Sequence, residues 1–199
     1  MKNRILFATG NHGKMKEIKM IFSDMDVELL SLEDAGIEID IEENGASFEE
    51  NAILKAKAIA AIRNEVVLAD DSGLVIDALN GEPGIFSARY MGENTSYHIK
   101  NNNLIQRLDE KNEKDRTAHF VCAIAAVFPN GEVAVTRGSM DGVIAHEEAG
   151  ENGFGYDPIF YLPEYNCTAA QLSADQKNRI SHRGKALIEM KKVLVEKLI

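Results

Sequence analysis

An α/β fold, a β-sheet with helices around it and one cleft, is predicted by three features of the 199-residue sequence. Short β-branched or apolar runs alternate with helically spaced ones, glycine-containing loops join the two kinds, and no internal repeat, low-complexity linker or composition break divides the chain. With 45% hydrophobic residues and no Trp, the chain suits one compact domain or two closely joined lobes sharing a core. A chain of this length buries roughly 70% of the surface its unfolded form exposes, so neither disulfides nor a structural metal is needed for folding.

The elements follow in order. Ile5-Leu6-Phe7-Ala8 predicts a strand that stops at Thr9-Gly10-Asn11-His12-Gly13-Lys14, after which Met15, Ile18, Ile21 and Phe22 recur at helical spacing. Val27 to Leu32 predicts a second strand, and Ile37-Glu38-Ile39-Asp40-Ile41 has the two-residue period of a half-exposed one. Ser47-Phe48-Glu49-Glu50 has the form of a capping box, with an Ala-rich helix following to about Arg63. Val66-Val67-Leu68-Ala69 predicts a buried strand ending at Asp70-Asp71-Ser72-Gly73, before Leu74-Val75-Ile76 resumes.

Asn80-Gly81 and Pro83-Gly84 are turn signals, a helix is expected from Ser96 to about Glu110, and Ala118 to Phe128 is the longest strand expected. Asn130-Gly131 predicts a hairpin returning through Val133 and Val135. A glycine-rich loop, Gly150 to Pro158, leads into the apolar Ile159 to Leu162, and Leu187, Met190, Leu194 and Leu198 mark a C-terminal amphipathic helix.

Composition narrows the function. The net charge of −10 opposes broad attraction to nucleic-acid phosphates, which is mainly a cationic effect, so any phosphate site must be local. No apolar stretch approaches the roughly 18 residues of a bilayer span, and Met1-Lys2-Asn3-Arg4 leads into a strand rather than a signal peptide; a cytoplasmic protein is expected. Of the two cysteines, Cys122 lies in an apolar run and Cys167 in an expected loop, without metal-ligand spacing.

Within that frame, Thr9 to Lys14 reads either as a phosphate cradle at a helix N-terminus or as a structural turn that welcomes two glycines. Glu42, Glu43, Asp70 and Asp71 are candidate Mg2+ ligands, because that ion takes oxygen donors and commonly one or two carboxylates. Successive strand residues face opposite ways, so a single Asp of the 70–71 pair should dominate if the extended geometry continues. Lys55 shares a helical stripe with Phe48, Ala52, Ile59 and Ile62; it either snorkels or works beside phosphate or the acids. Lys177, Arg179, His182, Arg183 and Lys185 form a basic cluster expected just before the last helix, where cations are unfavourable unless an anion is close. Phe154 and Tyr156 either stack on a base or simply pack.

Thr9-Gly10-Asn11-His12-Gly13-Lys14, Ser47 to Ala52, Ala69 to Leu74, Ser87-Ala88-Arg89-Tyr90, Phe154-Gly155-Tyr156-Asp157-Pro158 and Ser181-His182-Arg183-Gly184 together resemble the Ham1/inosine-triphosphatase family over nearly the whole chain. The resemblance implies an elongated mixed sheet in two α/β lobes with an active-site cleft between them, and a homodimer. It implies hydrolysis of noncanonical purine nucleoside triphosphates (ITP, dITP, XTP) between the α- and β-phosphates, with Mg2+.

By motif, Thr9, Gly10, Asn11, His12, Gly13 and Lys14 would hold the triphosphate, Glu43 and Asp71 would bind Mg2+, and Ser72 would contact substrate. Asp71 would accept the proton, and Phe154, Gly155, Tyr156, Asp157, Lys177, His182 and Arg183 would surround the nucleoside. Gln176 stands where the family often has a glutamate. The rival readings are a pyrophosphatase for modified pyrimidine triphosphates and a nucleotide sensor that does not hydrolyse.

Overall fold

The computed structural model describes residues 3–110 and 115–198; Met1 and Lys2 of the N-terminal run lie outside them. Its described residues form one mixed seven-stranded sheet and five α-helices, in agreement with the α/β expectation. The strands are β1 (Asn3–Phe7), β2 (Val27–Ser31), β3 (Val66–Ile76), β4 (Thr117–Val127), β5 (Val133–Ile144), β6 (Phe160–Leu162) and β7 (Cys167–Thr168). The helices are α1 (His12–Ile21), α2 (Phe48–Ala60), α3 (Tyr97–Glu110), α4 (Ala174–Ile180) and α5 (His182–Leu198). The sheet order is β2-β1-β3-β4-β5-β6-β7. β1 pairs in parallel with β2 and β3, whereas β6 is antiparallel to both β5 and β7.

Two compact units divide the chain: Met1–Asp71 with Cys122–Gly138 and His182–Ile199, and Ser72–Val121 with Ser139–Ser181. Each has its own apolar cluster. In the first, Ile5 and Phe7 of β1, Leu68 of β3 and Ile124 of β4 are fully buried with Ile18 of α1 and Leu187, Met190 and Leu194 of α5. In the second, Leu74, Ile76, Leu104, Leu108, Ile159 and Phe160 are likewise fully buried. Each such side chain contributes roughly 1.5–3 kcal/mol relative to exposure, so the apolar runs decide where strands and helices settle.

Several expectations need correction. Residues 37–41 form no strand: the alternation is present, but the segment joins no ladder and Ile39 is 42% exposed. Instead of breaking at Asp70, β3 runs unbroken from Val66 to Ile76. β5, with 12 residues, exceeds β4, with 11. α2 ends at Ala60, and only half of the expected capping box forms: Ser47 accepts the amide of Glu50, while the Glu50 carboxylate takes the amide of Ala46. Cys167 begins β7 instead of lying in a loop.

The basic residues do not all precede the last helix. Lys177 and Arg179 occupy the last turn of the unforeseen α4, where the helix dipole favours cations, while His182, Arg183 and Lys185 lie in the first turns of α5. α4 is opened by a capping box in which Ser173 and Gln176 satisfy each other's amides, a role either Gln or Glu can fill.

Candidate functional site

In the first unit, β3 carries Asp70 and Asp71 on opposite faces, as the extended backbone dictates, and each meets different partners. Asp70 is 2% exposed and bonds Lys14 Nζ at 2.9 Å and an Arg183 nitrogen at 3.4 Å. Arg183 in turn holds Glu17 at 2.6 Å. The anions that the sequence argument required beside the basic start of α5 are therefore Asp70 and Glu17. Burial opposes ionisation of Asp70, yet Lys14, Arg183 and Lys55 outweigh it and hold the carboxyl well below the usual range.

Asp71 looks the other way. Its Oδ1 lies 3.2 Å from Lys55 Nζ, which is also 2.8 Å from Glu43 Oε1, so one ammonium joins the two acids. Of the two readings for Lys55, the structure selects the acidic cluster over snorkelling, with the residue only 9% exposed. Between the neighbouring glutamates, Glu43 enters this cluster while Glu42 is exposed. Burial pushes the Asp71 pKa up, Glu43 adds to that, and Lys55 and Lys14 only partly counter it. For Lys55 itself, burial disfavours the charge, but Asp70, Asp71 and Glu43 more than restore it and raise its pKa.

Asn51 was not foreseen. One turn before Lys55 on α2, it donates to Asp71 Oδ2 at 3.2 Å and accepts the Gly45 amide at 2.8 Å, tying the loop that bears Glu43 to the aspartate. Gly45 is required there, because a Cβ would fall 2.7 Å from Asn51 Oδ1. The i, i+4 spacing to Lys55 was the available signal.

The Thr9–Lys14 segment follows β1 and turns into α1. Asn11 caps the helix by accepting the Lys14 amide, and Thr9 Oγ1 accepts the Asn11 amide. Thr9, Gly10, Asn11 and His12 line a hollow together with Ser31 and Glu33. His12 is exposed, and a Cβ on Gly10 would meet nothing within 4 Å, so chain packing does not demand that glycine. Lys14 reaches Asp70. His182 is buried at the start of α5.

The second unit holds Ser72, which is half-buried on β3, and the loop at 150–158. Asp157, 2% exposed, organises this loop: its Oδ2 accepts the Phe154 amide at 2.8 Å and the Lys177 ammonium at 2.6 Å, while Lys177 Nζ sits 4.8 Å above the Phe154 ring. Gly153, at φ 73°, cannot carry a side chain, since its Cβ would fall 2.2 Å from that same oxygen. Phe154 and Gly155 are half-buried, and Tyr156 is buried with its hydroxyl donated to Ser87 O at 2.7 Å.

A family model described as the Ham1 family matches residues 5–193. The chain belongs to the Ham1 family. A Bacillus anthracis protein named dITP/XTP pyrophosphatase is 45% identical over 97% of this chain and 96% of its own length. A Listeria monocytogenes protein of the same name is 44% identical over 98% and 96%. Among solved structures, the Staphylococcus aureus Ham1 protein superposes with a TM-score of 0.88 at 46% identity, covering 98% of this chain and all of that one. The Coxiella burnetii Ham1 protein gives 0.89 at 41%, covering 98% and 99%. Among the described residues no helix is long and apolar enough to cross a membrane.

Proposed function

We propose that this chain hydrolyses noncanonical purine nucleoside triphosphates, ITP, dITP and XTP, to the nucleoside monophosphate and pyrophosphate. The observation that carries the reading is the convergence of Glu43 and Asp71 on one cation, in a Ham1-family chain whose relatives are named for this activity.

Two carboxylates already gathered around the Lys55 ammonium are a fitting donor set for Mg2+, which prefers oxygen ligands and leaves its other positions to water and phosphate. Glu43 and Asp71 would hold the ion. When bound, it would draw charge from the phosphate oxygens. The protein's own residues supply the rest. The N-terminus of α1 and the Thr9–Gly13 backbone receive phosphate, helped by a Gly10 that leaves room for close approach. Asp71 orients a water and takes its proton as the oxygen bonds to the α-phosphorus and the bond to the β-phosphate breaks.

Selectivity belongs to the base end. Phe154 and Tyr156 frame the nucleoside, while the Lys177 ammonium beside the Phe154 ring brings N–H donors. Such donors satisfy the 6-carbonyl of hypoxanthine or xanthine, and an adenine amino group would leave them unpaired at a cost of several kcal/mol. The family resemblance extends this reading to a homodimer, which sedimentation would test. For the activity itself, pyrophosphate release is measured across ITP, dITP, XTP, ATP, GTP and dUTP; release from dUTP, or a silent panel, overturns it.

A further inference from the structure

The glycine loop is gripped by one face of α3 that carries none of the residues singled out above. Tyr97, Lys100 and Asn101 stand at i, i+3 and i+4, so they share a face. Tyr97 meets the Tyr156 ring edge-on with centroids 5.1 Å apart, and its ring lies 3.6 Å from where a Gly155 Cβ would stand. Lys100 donates to Ala88 O at 2.7 Å. Asn101 Nδ2 donates to Glu148 Oε1 at 2.7 Å and reaches Gly155 O at 3.4 Å. Glu148 Oε2 is taken by His98 Nδ1 at 2.5 Å, so both of its oxygens are held by α3.

Asn101 is 1% exposed, and its Oδ1 is buried without a hydrogen-bond partner among the described residues. The amide cannot be turned to relieve this, because the Glu148 carboxylate only accepts and needs Nδ2 before it. A leucine of similar size would avoid the desolvation penalty if packing were the only demand. The loop has glycines at positive φ at 150, 153 and 155, so the chain there is permissive and needs outside ties to hold one shape.

We infer that Asn101 is a positioning residue for base recognition: by joining Glu148, ahead of the loop, to the Gly155 carbonyl within it, it sets where Phe154 and Tyr156 present themselves. The inference rests on the reading of that loop as the nucleoside site. The proposed phosphate chemistry rests on other residues, Asp71 and Glu43.

The test is steady-state kinetics on Asn101→Leu and Glu148→Leu, with ITP and ATP, beside thermal unfolding. The expected result for each is a KM for ITP raised roughly tenfold or more, kcat within about threefold of the parent, and an ITP-over-ATP preference in kcat/KM eroded by a similar factor. A folded Asn101→Leu protein with unchanged KM and preference overturns the inference, as does one in which kcat alone falls. If Asn101→Leu does not fold, Glu148→Leu decides by the same criteria. A parent protein that releases no pyrophosphate from ITP overturns the functional reading, and this inference with it, before any variant is made.

Discussion

Asp70 and Asp71 are neighbours on β3, yet their carboxyls are driven in opposite directions: Asp70 well below the usual carboxylate range, Asp71 above it. Burial opposes ionisation of both, and the difference lies in the cations. Asp70 faces Lys14 and Arg183, whereas Asp71 shares Lys55 with Glu43. Adjacent acids pushed apart in this way take different roles, one fixed as a charge and the other able to exchange a proton.

Asp71→Asn should lower turnover by about 10²–10⁴-fold while leaving the protein at least as stable at pH 7. The sign follows from linkage. A carboxyl whose pKa is raised by folding contributes stability below its unfolded pKa, and that contribution is lost as pH rises through the folded value, so at neutral pH the ionised group is a burden. Pyrophosphate release and thermal unfolding at pH 7 check both halves. A folded variant with parental turnover would remove Asp71 from the chemistry.

Lys55→Met takes away the largest influence lowering the Asp71 pKa. The acid limb of the kcat/KM profile should therefore move to higher pH, and turnover near neutrality should fall by about tenfold or more. An acid limb left in place would show that Lys55 does not act on the titrating group.

Arg183→Ala would take a cation from buried Glu17 and from buried Asp70, which keeps Lys14. Removing one partner of such a network costs about 3–5 kcal/mol, to be read as a lower midpoint in urea. Loss of substrate preference in this variant is therefore informative only where the protein remains folded. A midpoint within error of the parent would contradict the network.

His119, on β4, stands between Asp141 at 2.8 Å and Asp77 at 3.2 Å. The Asp141 hydrogen bond raises its pKa, with Asp77 adding to it against some desolvation. Its contribution to stability is present below the unfolded pKa of about 6.5 and is lost as pH rises through the folded value. The gap in melting temperature between the parent and His119→Asn should be widest near pH 6 and close toward pH 9. A gap independent of pH would contradict this.

Much of this was legible in the sequence because local pattern controls it. The apolar runs located β1, β3 and β4, the period of 3.6 placed Lys55 on the inward stripe, and strand alternation foretold that Asp70 and Asp71 would part company. What escaped depends on residues far apart in the chain. Glu17 meets Arg183 across 166 positions, and Lys177 meets Asp157 across 20. Nothing in either local segment names its partner. The failure at Ile37–Ile41 has the complementary cause: an alternating pattern specifies which face would be buried, but a strand needs a neighbour to pair with. Asn51 and Asn101 escaped because an asparagine on a helix is ordinarily a solvated residue, and only its burial, 0% and 1% exposed, marks it out.

Pyrophosphate release from ITP, dITP, XTP, ATP, GTP and dUTP by the purified protein, with and without Mg2+, decides both the reaction and its substrates. Rapid release that requires Mg2+ and is confined to ITP, dITP and XTP is the expected result. Equal release from ATP and GTP, preferential release from dUTP, or no release from any of the six would contradict it.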